Sequence, residues 1–344
     1  MKTLQINTQK TYNFYIGENL EKCGDIFCEQ IFHQKAFIIS DDNVFKIYGK
    51  IVQNSFQKKS INTFSFVFRH GESSKTLETV ENILNSLAEQ KFEKSDVIVA
   101  LGGGVCSDMA GFAAALYMRG IRWYILPTTL LAALDAAVGG KTAVNSKYGK
   151  NLTGVIYQPS GVFFDINTLK TLPRREFSNG LAEAIKCGFI YDKSILNLLE
   201  NDISETVLRS LKVKKHFLEL DEFDTSERRI LNFGHTYGHA VEKASDYSVF
   251  HGEAVAIGMC AVTMAAEYHK ICENGTCEQL KKILAENNLP IKTDIPLKTI
   301  VEIMKIDKKS ENDSIILILP KKIEKCIQYP IKKDELYDFF RCTI

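Results

Sequence analysis

The chain is short of several things at once, and each absence removes a class of function. It has no surplus of charge: 43 Lys and Arg face 42 Asp and Glu, a formal net charge of +1 over 344 residues. Such a chain has no bulk field to gather nucleic acid or an anionic membrane. It has no long hydrophobic run, since nothing approaches the ~18 apolar residues of a spanning helix. The opening Met1-Lys-Thr-Leu-Gln-Ile-Asn7 lacks the apolar core of a secretion signal, so a cytoplasmic protein is expected. Lys333-Asp-Glu-Leu336 is internal and cannot act as a retention signal. No Cys-x-x-Cys occurs among nine cysteines, so free thiols in a reducing compartment are expected, most of them small buried hydrophobes. Repeats, low-complexity tracts and flexible linkers are missing too. What remains is an ordinary globular composition, 45% hydrophobic and 25% charged, at a length that implies about two domains.

Up to about residue 165 the pattern alternates strand and helix. Residues 36–40 are a short apolar run ending in Asp41-Asp-Asn43, and residues 63–68 are β-rich and end at His70-Gly71. Residues 77–87 have helical spacing. Val97-Ile-Val-Ala-Leu101 is a continuous apolar run of the kind buried on both faces of a parallel sheet. A small-residue helix follows over 108–116, and Trp123-Tyr-Ile-Leu126 reads as the next strand, stopping at Pro127. This is an open α/β sheet with nucleotide-type turns. After Leu172-Pro173 strand signals nearly vanish. Helical periodicity dominates from Glu176 to about Tyr268 and over 279–287, with a late β-like run at 314–319. The expected architecture is an α/β nucleotide-binding domain over 1–168 and an all-α, or mainly helical, metal- and substrate-binding domain over 169–344. The boundary zone is near 165–175, and the active site is expected in the cleft between the domains.

The scarcity of histidine makes its placement informative. Of seven, His235 and His239 stand four apart in Asn232-Phe-Gly-His-Thr-Tyr-Gly-His239, so on a helix both imidazoles leave one face. His251 opens a second helix-like segment twelve residues on. Neutral imidazole is the commonest protein ligand for zinc-like metals. Two histidines on an amphipathic helix are more often solvated or satisfied in the core, but a third and an acidic candidate shift the balance. Glu183 and Lys186 lie at i, i+3, a spacing that usually makes a weak surface pair. The apolar residues flanking them argue for burial instead. One carboxylate and three histidines are enough for a catalytic zinc with one open position.

The strand at 97–101 runs into Gly102-Gly-Gly104 and then a helix, which presents bare backbone amides to a phosphate. The spacing is not Gly-x-Gly-x-x-Gly, because position 107 is Ser, so by itself this is a weak nucleotide signal. Gly71-Glu-Ser-Ser-Lys75 offers a carboxylate and an ammonium to a nucleotide, and alone reads more readily as a solvated loop. Lys141 follows Gly139-Gly140 within small apolar residues that look buried, and Lys150-Asn151 comes within ten residues.

Taken together, Gly102-Gly-Gly-Val105, Asp108-Met-Ala-Gly-Phe-Ala-Ala114, Tyr117-Met-Arg-Gly120, Pro127-Thr-Thr-Leu-Leu131, Asp135-x-x-Val-Gly-Gly-Lys-Thr-Ala-Val-Asn145, Lys150-Asn151, Asn232-Phe-Gly-His-Thr-x-Gly-His239 and His251-Gly-Glu-Ala254 resemble the 3-dehydroquinate synthase family. The match runs in order from about Ser40 to Lys309. The resemblance implies an α/β domain followed by a helical one, a homodimer, NAD and one divalent metal, Zn2+ or Co2+. It implies conversion of a sugar phosphate, 3-deoxy-D-arabino-heptulosonate 7-phosphate (DAHP), to 3-dehydroquinate and phosphate in the shikimate route to aromatic amino acids. The route would be transient oxidation, phosphate elimination, re-reduction and intramolecular aldol closure. Whether a side chain or the substrate phosphate takes the C6 proton stays open.

The resemblance also assigns roles. Glu183, His235 and His251 would hold the metal, which moves His239 from ligand to substrate-phosphate contact. Arg119, Asp135, Lys141, Asn151, Lys186, Lys214, Arg228, Asn232, Lys308 and Lys309 would serve the substrate. Asp41, Asn43, Glu72, Lys75, Gly103, Gly104, Val105, Ser107, Asp108, Thr128, Thr129, Lys141, Lys150, Thr168 and Thr171 would touch NAD. The chain departs from the family pattern at Ser107, Ala136-Ala137, Asp224 and Ser226, none of which removes a ligand or a cation. Three rivals remain: a sibling cyclase for another sugar phosphate, a metal-dependent polyol dehydrogenase, and a nucleotide-binding scaffold without activity.

Overall fold

The apolar run at 97–101 becomes the strand Val97–Gly102, every residue of which is buried. It lies inside a seven-stranded sheet built from β1 (Lys2–Ile6), β2 (Tyr12–Gly17), β3 (Lys35–Asp41), β4 (Asn62–Phe68), β5 (Val97–Gly102), β6 (Arg122–Pro127) and β9 (Gly161–Asp165). The strand order is β1-β2-β9-β6-β5-β3-β4. Only the β1–β2 pair is antiparallel. The computed structural model describes residues 1–17, 19–28, 31, 35–306 and 313–343. The chain divides into two units, Met1–Pro173 and Arg174–Ile344.

In the first unit, helices return the chain between parallel strands. Leu77–Glu89 is one of them: Thr76 caps it by accepting the Thr79 N–H, and Val80, Ile83 and Leu87 form its buried stripe. Gly104–Leu116 is another, and its run of Ala and Gly lets it pack closely from β5 to β6. From β3 the chain steps outward to β4, then returns to the other side of β3 for β5 and β6. This reversal is a topological switch point, and open α/β sheets bind ligands beyond the carboxyl ends of strands at such a point. A separate antiparallel hairpin, β7 (Lys141–Ser146) with β8 (Gly149–Ile156), lies between β6 and β9 in sequence. Alternation along β7 buries Thr142 and Val144, so the small residues around Lys141 are buried as expected, while Lys141 itself is exposed.

The second unit is helical: Arg174–Ile190, Ile203–Leu220, His235–Ala244, His251–Tyr268, Thr276–Glu286, Leu297–Lys305 and Leu336–Phe340. One antiparallel hairpin, β10 (Ser314–Lys322) with β11 (Lys325–Lys332), accompanies them, and β10 contains the late β-like run. All nine cysteines are free thiols. Among the described residues no helix is long and apolar enough to cross a membrane.

Candidate functional site

In the first unit the expected nucleotide contacts gather at the carboxyl ends of the parallel strands. Asp41, at the end of β3, accepts the backbone N–H groups of Asn43 and Val44 at 3.0 and 2.9 Å. A Cβ on Gly102, at the end of β5, would lie 3.5 Å from Asp41 Oδ2, so these two strand ends are neighbours. Gly103 caps the following helix, and a Cβ there would touch Thr129 at 3.5 Å. Gly104 and Val105 open that helix, and a Cβ on Gly104 would stand 3.6 Å from Ala136, next to Asp135. Thr128 donates its backbone N–H to Gly102 at 3.0 Å, and its hydroxyl is buried without a hydrogen-bond partner. Ser107 turns its hydroxyl back to the Gly103 carbonyl at 3.2 Å, so the Ser-for-Gly departure is absorbed within the helix. Past β9, the Thr168 hydroxyl donates to Asp165 and the Thr171 hydroxyl to Thr168.

The Glu72–Lys75 segment is not a solvated loop. Lys75 is buried and donates to Asp108 Oδ2 and Asn151 Oδ1, both at 2.5 Å. Burial raises the Asp108 carboxyl to about 6, with the Lys75 ammonium beside it pulling the other way. Asn145 ties the segment together. Its amide donates to Glu72 at 2.7 Å, its side-chain oxygen accepts the Asn151 N–H at 3.0 Å, and its own N–H donates to Lys75 O at 2.9 Å. Lys150 stands 3.9 Å from Glu72. Asn151 holds a positive φ of 54°, which is uncommon outside glycine but tolerated by asparagine. The structure does not bring Arg119 to this group. Arg119 follows the Gly104–Leu116 helix and precedes β6, so it sits exposed at the amino end of the sheet, a helix length away from the glycine turn.

The metal candidates lie in the second unit. Helix Arg174–Ile190 presents Arg175, Asn179, Glu183 and Lys186 at i, i+4, i+8 and i+11, one face. Glu183 is wholly buried. Its oxygens accept from Lys186 at 2.9 and 2.7 Å and from Lys214 at 2.9 Å, and His235 Nε2 stands 3.5 Å away. Two ammonium groups on one buried carboxylate leave a positive surplus that suits an anion. Helix His235–Ala244 starts from Gly234, whose φ of 78° is left-handed; a Cβ there would lie 2.6 Å from Met259 Cγ and 2.7 Å from Met259 N. That close approach seats His235 against helix His251–Tyr268. Burial, then the charges of Lys186, His251 and His239, hold the His235 imidazole well below its usual pKa, so it is neutral and ready to ligate.

His251 occupies the first turn of its helix. Glu253 caps that turn by accepting the Phe250 N–H at 2.9 Å, and Arg175 grips Glu253 at 2.6 and 2.8 Å. Asn179 accepts the Gly252 N–H at 2.5 Å. Ligand atoms of Glu183, His235 and His251 all lie within 4.8 Å of one another, and His239, Glu242 and His251 form a second such set. The donor set of one carboxylate and two neutral imidazoles fits a zinc-like ion with room for further ligands. The His239 ring is 5.4 Å from that of His235 and 5.8 Å from that of His251, but the residue is exposed.

Arg228 is buried and donates to the Glu222 carbonyl at 2.7 Å. Asp221 organises its loop. Burial would raise this carboxyl, but the N–H groups of Thr225, Ser226 and Arg228 and the Thr225 hydroxyl outweigh it and hold it at about 2. Asn232 is half-buried, three residues before His235. Lys308 and Lys309 lie outside the described residues.

Asn145, Asn179, Asp221 and Glu242 also have structural roles at these sites. Asn179 carries a signal in the sequence: it sits one helical turn before Glu183 on the same face. Asp221 bonds within its own loop, to Thr225, Ser226 and Arg228, and Asn145 and Glu242 bond to partners set by how elements pack.

Residues 65–179 match the family described as 3-dehydroquinate synthase N-terminal, and residues 180–310 the one described as 3-dehydroquinate synthase C-terminal. A 3-dehydroquinate synthase of Clostridium acetobutylicum is 40% identical over 354 residues, covering 99% of either chain. One of Campylobacter concisus is 42% identical over 280 residues, 79% of this chain and 81% of that one. The solved structure of 2-deoxy-scyllo-inosose synthase complexed with carbaglucose-6-phosphate, NAD+ and Co2+ aligns with a TM-score of 0.88 at 27% identity, covering 98% of this chain and 100% of that chain. The 2-epi-5-epi-valiolone synthase ValA of Streptomyces hygroscopicus, with NAD+ and Zn2+ bound, shares the fold at a TM-score of 0.87 and 23% identity, over 98% and 97% of the two chains. With both halves matched in order and a curated relative aligned almost end to end, this chain belongs to the 3-dehydroquinate synthase family.

Proposed function

We propose that the chain converts DAHP to 3-dehydroquinate and phosphate, with NAD and one divalent ion, Zn2+ or Co2+, as cofactors. The observation that carries this reading is the convergence of Glu183, His235 and His251 donor atoms within 4.8 Å, in a chain of this family. Bound there, the metal supplies Lewis acidity toward a hydroxyl, and NAD supplies a hydride acceptor that later returns the hydride.

The chain's own residues bind and orient. Asp41, Asn43, Glu72, Lys75, Gly103, Gly104, Val105, Ser107, Asp108, Thr128, Thr129, Lys141, Lys150, Thr168 and Thr171 are the proposed nucleotide contacts. The helix N-terminus at Gly104 favours the pyrophosphate. Lys186, Lys214, Arg228, Asn232 and His239 are the proposed substrate contacts of the second unit; Asp135, Lys141 and Asn151 of the first and the Lys308/Lys309 pair are the others proposed. The buried ammonium groups of Lys186 and Lys214 favour the charge of a departing phosphate. A guanidinium such as that of Arg228 grips a carboxylate bidentately, which favours DAHP over sugar phosphates that lack one. Arg119 is left out of the contacts made within one chain. The proposal includes a homodimer, checked by light scattering, in the cytoplasm, where nine free thiols persist.

The test is to incubate the pure protein with DAHP, catalytic NAD+ and Zn2+. Phosphate and a carbocyclic ketone should form over many turnovers without NADH accumulating. NADH rising in proportion to product would make the chain a dehydrogenase. Equal or better turnover of glucose 6-phosphate than of DAHP would make it a sibling cyclase, like the 2-deoxy-scyllo-inosose synthase whose fold it shares.

A further inference from the structure

Helix His235–Ala244 carries more than the two histidines of its motif. Glu242 lies at i+7 from His235 and i+3 from His239, on the same face. Its side chain is buried, and Oε2 stands 3.2 Å from Nδ1 of His251, the first residue of the next long helix. The two helices meet at backbone distance: a Cβ on Gly238 would lie 2.8 Å from the Ala254 carbonyl oxygen. The carboxylate is therefore held against one ring nitrogen of one proposed ligand.

We infer that Glu242 is a positioning residue for the metal centre, fixing His251 as the Nδ1–H tautomer with Nε2 left to ligate; this rests on the reading of Glu183, His235 and His251 as the metal ligands. A carboxylate accepts and cannot donate when ionised, so the hydrogen bond requires the proton on Nδ1. The lone pair is then on Nε2. His235 is handled the same way by a different group: its Nδ1 donates to the Phe233 carbonyl at 3.1 Å, and its Nε2 faces Glu183. One ligand is thus oriented by a backbone carbonyl and the other by a carboxylate, the two usual partners of a metal-bound imidazole. A carboxylate adds negative charge behind the ring and makes Nε2 a better donor. It also holds the ring's orientation, so less freedom is lost when the ion binds.

The same three residues, His239, Glu242 and His251, could instead form a second ion site, since their donor atoms also lie within 4.8 Å. The geometry favours the hydrogen bond: Glu242 Oε2 and His251 Nδ1 already stand at hydrogen-bond distance, 3.2 Å. With the proton on Nδ1, His251 has one lone pair left, on Nε2, and cannot serve two ions. The hydrogen bond accounts for the buried carboxylate without a second ion.

The test is direct metal binding to the metal-free protein. Zn2+ affinity is read by competition with a chromophoric chelator, and the visible absorption of the Co2+ form reports ligand geometry. Wild type should bind one ion per chain. Glu242→Ala should bind it about 10–100-fold more weakly with an altered Co2+ spectrum, while Glu242→Gln, which keeps an acceptor of the same shape, should recover part of the loss. NAD+ affinity and the thermal transition of the metal-free Glu242→Gln protein should match wild type, which separates positioning from damage to the fold. Zn2+ affinities within twofold of wild type in both variants would overturn the inference. So would two ions per chain in wild type with one lost and the other unchanged in Glu242→Ala. A wild-type chain that binds no divalent ion overturns the metal reading beneath it as well.

Discussion

Lys214 Nζ and Glu183 Oε2 stand 2.9 Å apart in a place where the carboxylate is wholly buried and Lys186 already holds the same oxygen at 2.7 Å. A lysine so close to a proposed ligand opposes a dication in two ways. It repels the ion, and it stabilises the metal-free state by compensating the buried carboxylate. Both effects have the same sign. Lys214→Met should therefore bind Zn2+ more tightly, by about tenfold or more for a relief of about 1.4 kcal/mol, while raising the KM for DAHP. Chelator competition and steady-state kinetics check it. Weaker Zn2+ binding would show that Lys214 supports the centre rather than the substrate.

His251 and His239 have neighbouring rings but different assigned roles. His251→Ala should lose metal and activity together, since two ligands remain where catalytic sites use three. His239→Ala should keep close to one ion per chain and lose turnover. Elemental analysis of the two purified variants decides, and the reverse pattern would exchange the assignments.

Gly234 is where the backbone turns to deliver His235. An alanine there takes a left-handed conformation and drives its Cβ to 2.6 Å from Met259 Cγ and 2.8 Å from the Val255 carbonyl. Strain and overpacking each cost about 1–3 kcal/mol, so Gly234→Ala should lower the urea midpoint and weaken metal binding together. An unchanged midpoint would mean the two helices can part without cost.

Much of this arrangement was legible in the sequence, and what escaped it did so for physical reasons. Parallel strands buried on both faces appear as unbroken apolar runs, so β3, β5 and β6 stood out. Helical spacing located His235–Ala244 and His251–Tyr268. The β7–β8 hairpin did not stand out, because Lys141, Thr142, Ala143 and Val144 are too small and mixed to announce an alternation. Only the fold shows Lys141 turned outward. The Glu72–Lys75 loop looked solvated because its partners, Asp108, Asn145 and Asn151, lie far along the chain. Glu242 was visible as a residue but not as a partner, since its distance from His251 is set by how two helices pack.

The Lys75–Asp108 pair sets a pH dependence whose sign can be fixed. Burial lifts the Asp108 carboxyl from 3.8 to about 6 despite the ammonium beside it. A raised pKa means the folded state holds the proton more tightly. Its contribution is fully present below about 3.8 and is lost as pH rises through about 6. Relative to Asp108→Asn, wild type should lose at most about 3 kcal/mol between pH 4 and pH 7. Denaturant titrations of both proteins at these pH values measure it, and parallel curves would show that the carboxyl is not perturbed.

Asp221 gives the opposite sign and reaches the substrate side. Its carboxyl is held at about 2, below the ordinary 3.8, so its contribution is present above 3.8 and is lost as pH falls through about 2. The donors that lower it are the backbone N–H groups of Thr225, Ser226 and Arg228, so the same bonds fix the loop from which Arg228 departs. Asp221→Asn replaces an ionised acceptor of several N–H groups with one neutral oxygen. It should cost about 2 kcal/mol at pH 7 and little near pH 2. With the loop loosened, the Arg228 guanidinium is no longer held by Glu222 in one orientation, so the KM for DAHP should rise about tenfold or more, the equivalent of about 1.4 kcal/mol. Metal content should stay at one ion per chain, because none of these bonds touches Glu183, His235 or His251. Loss of metal in Asp221→Asn, or a KM equal to wild type, would separate this loop from substrate binding and return Arg228 to a purely structural place in the fold.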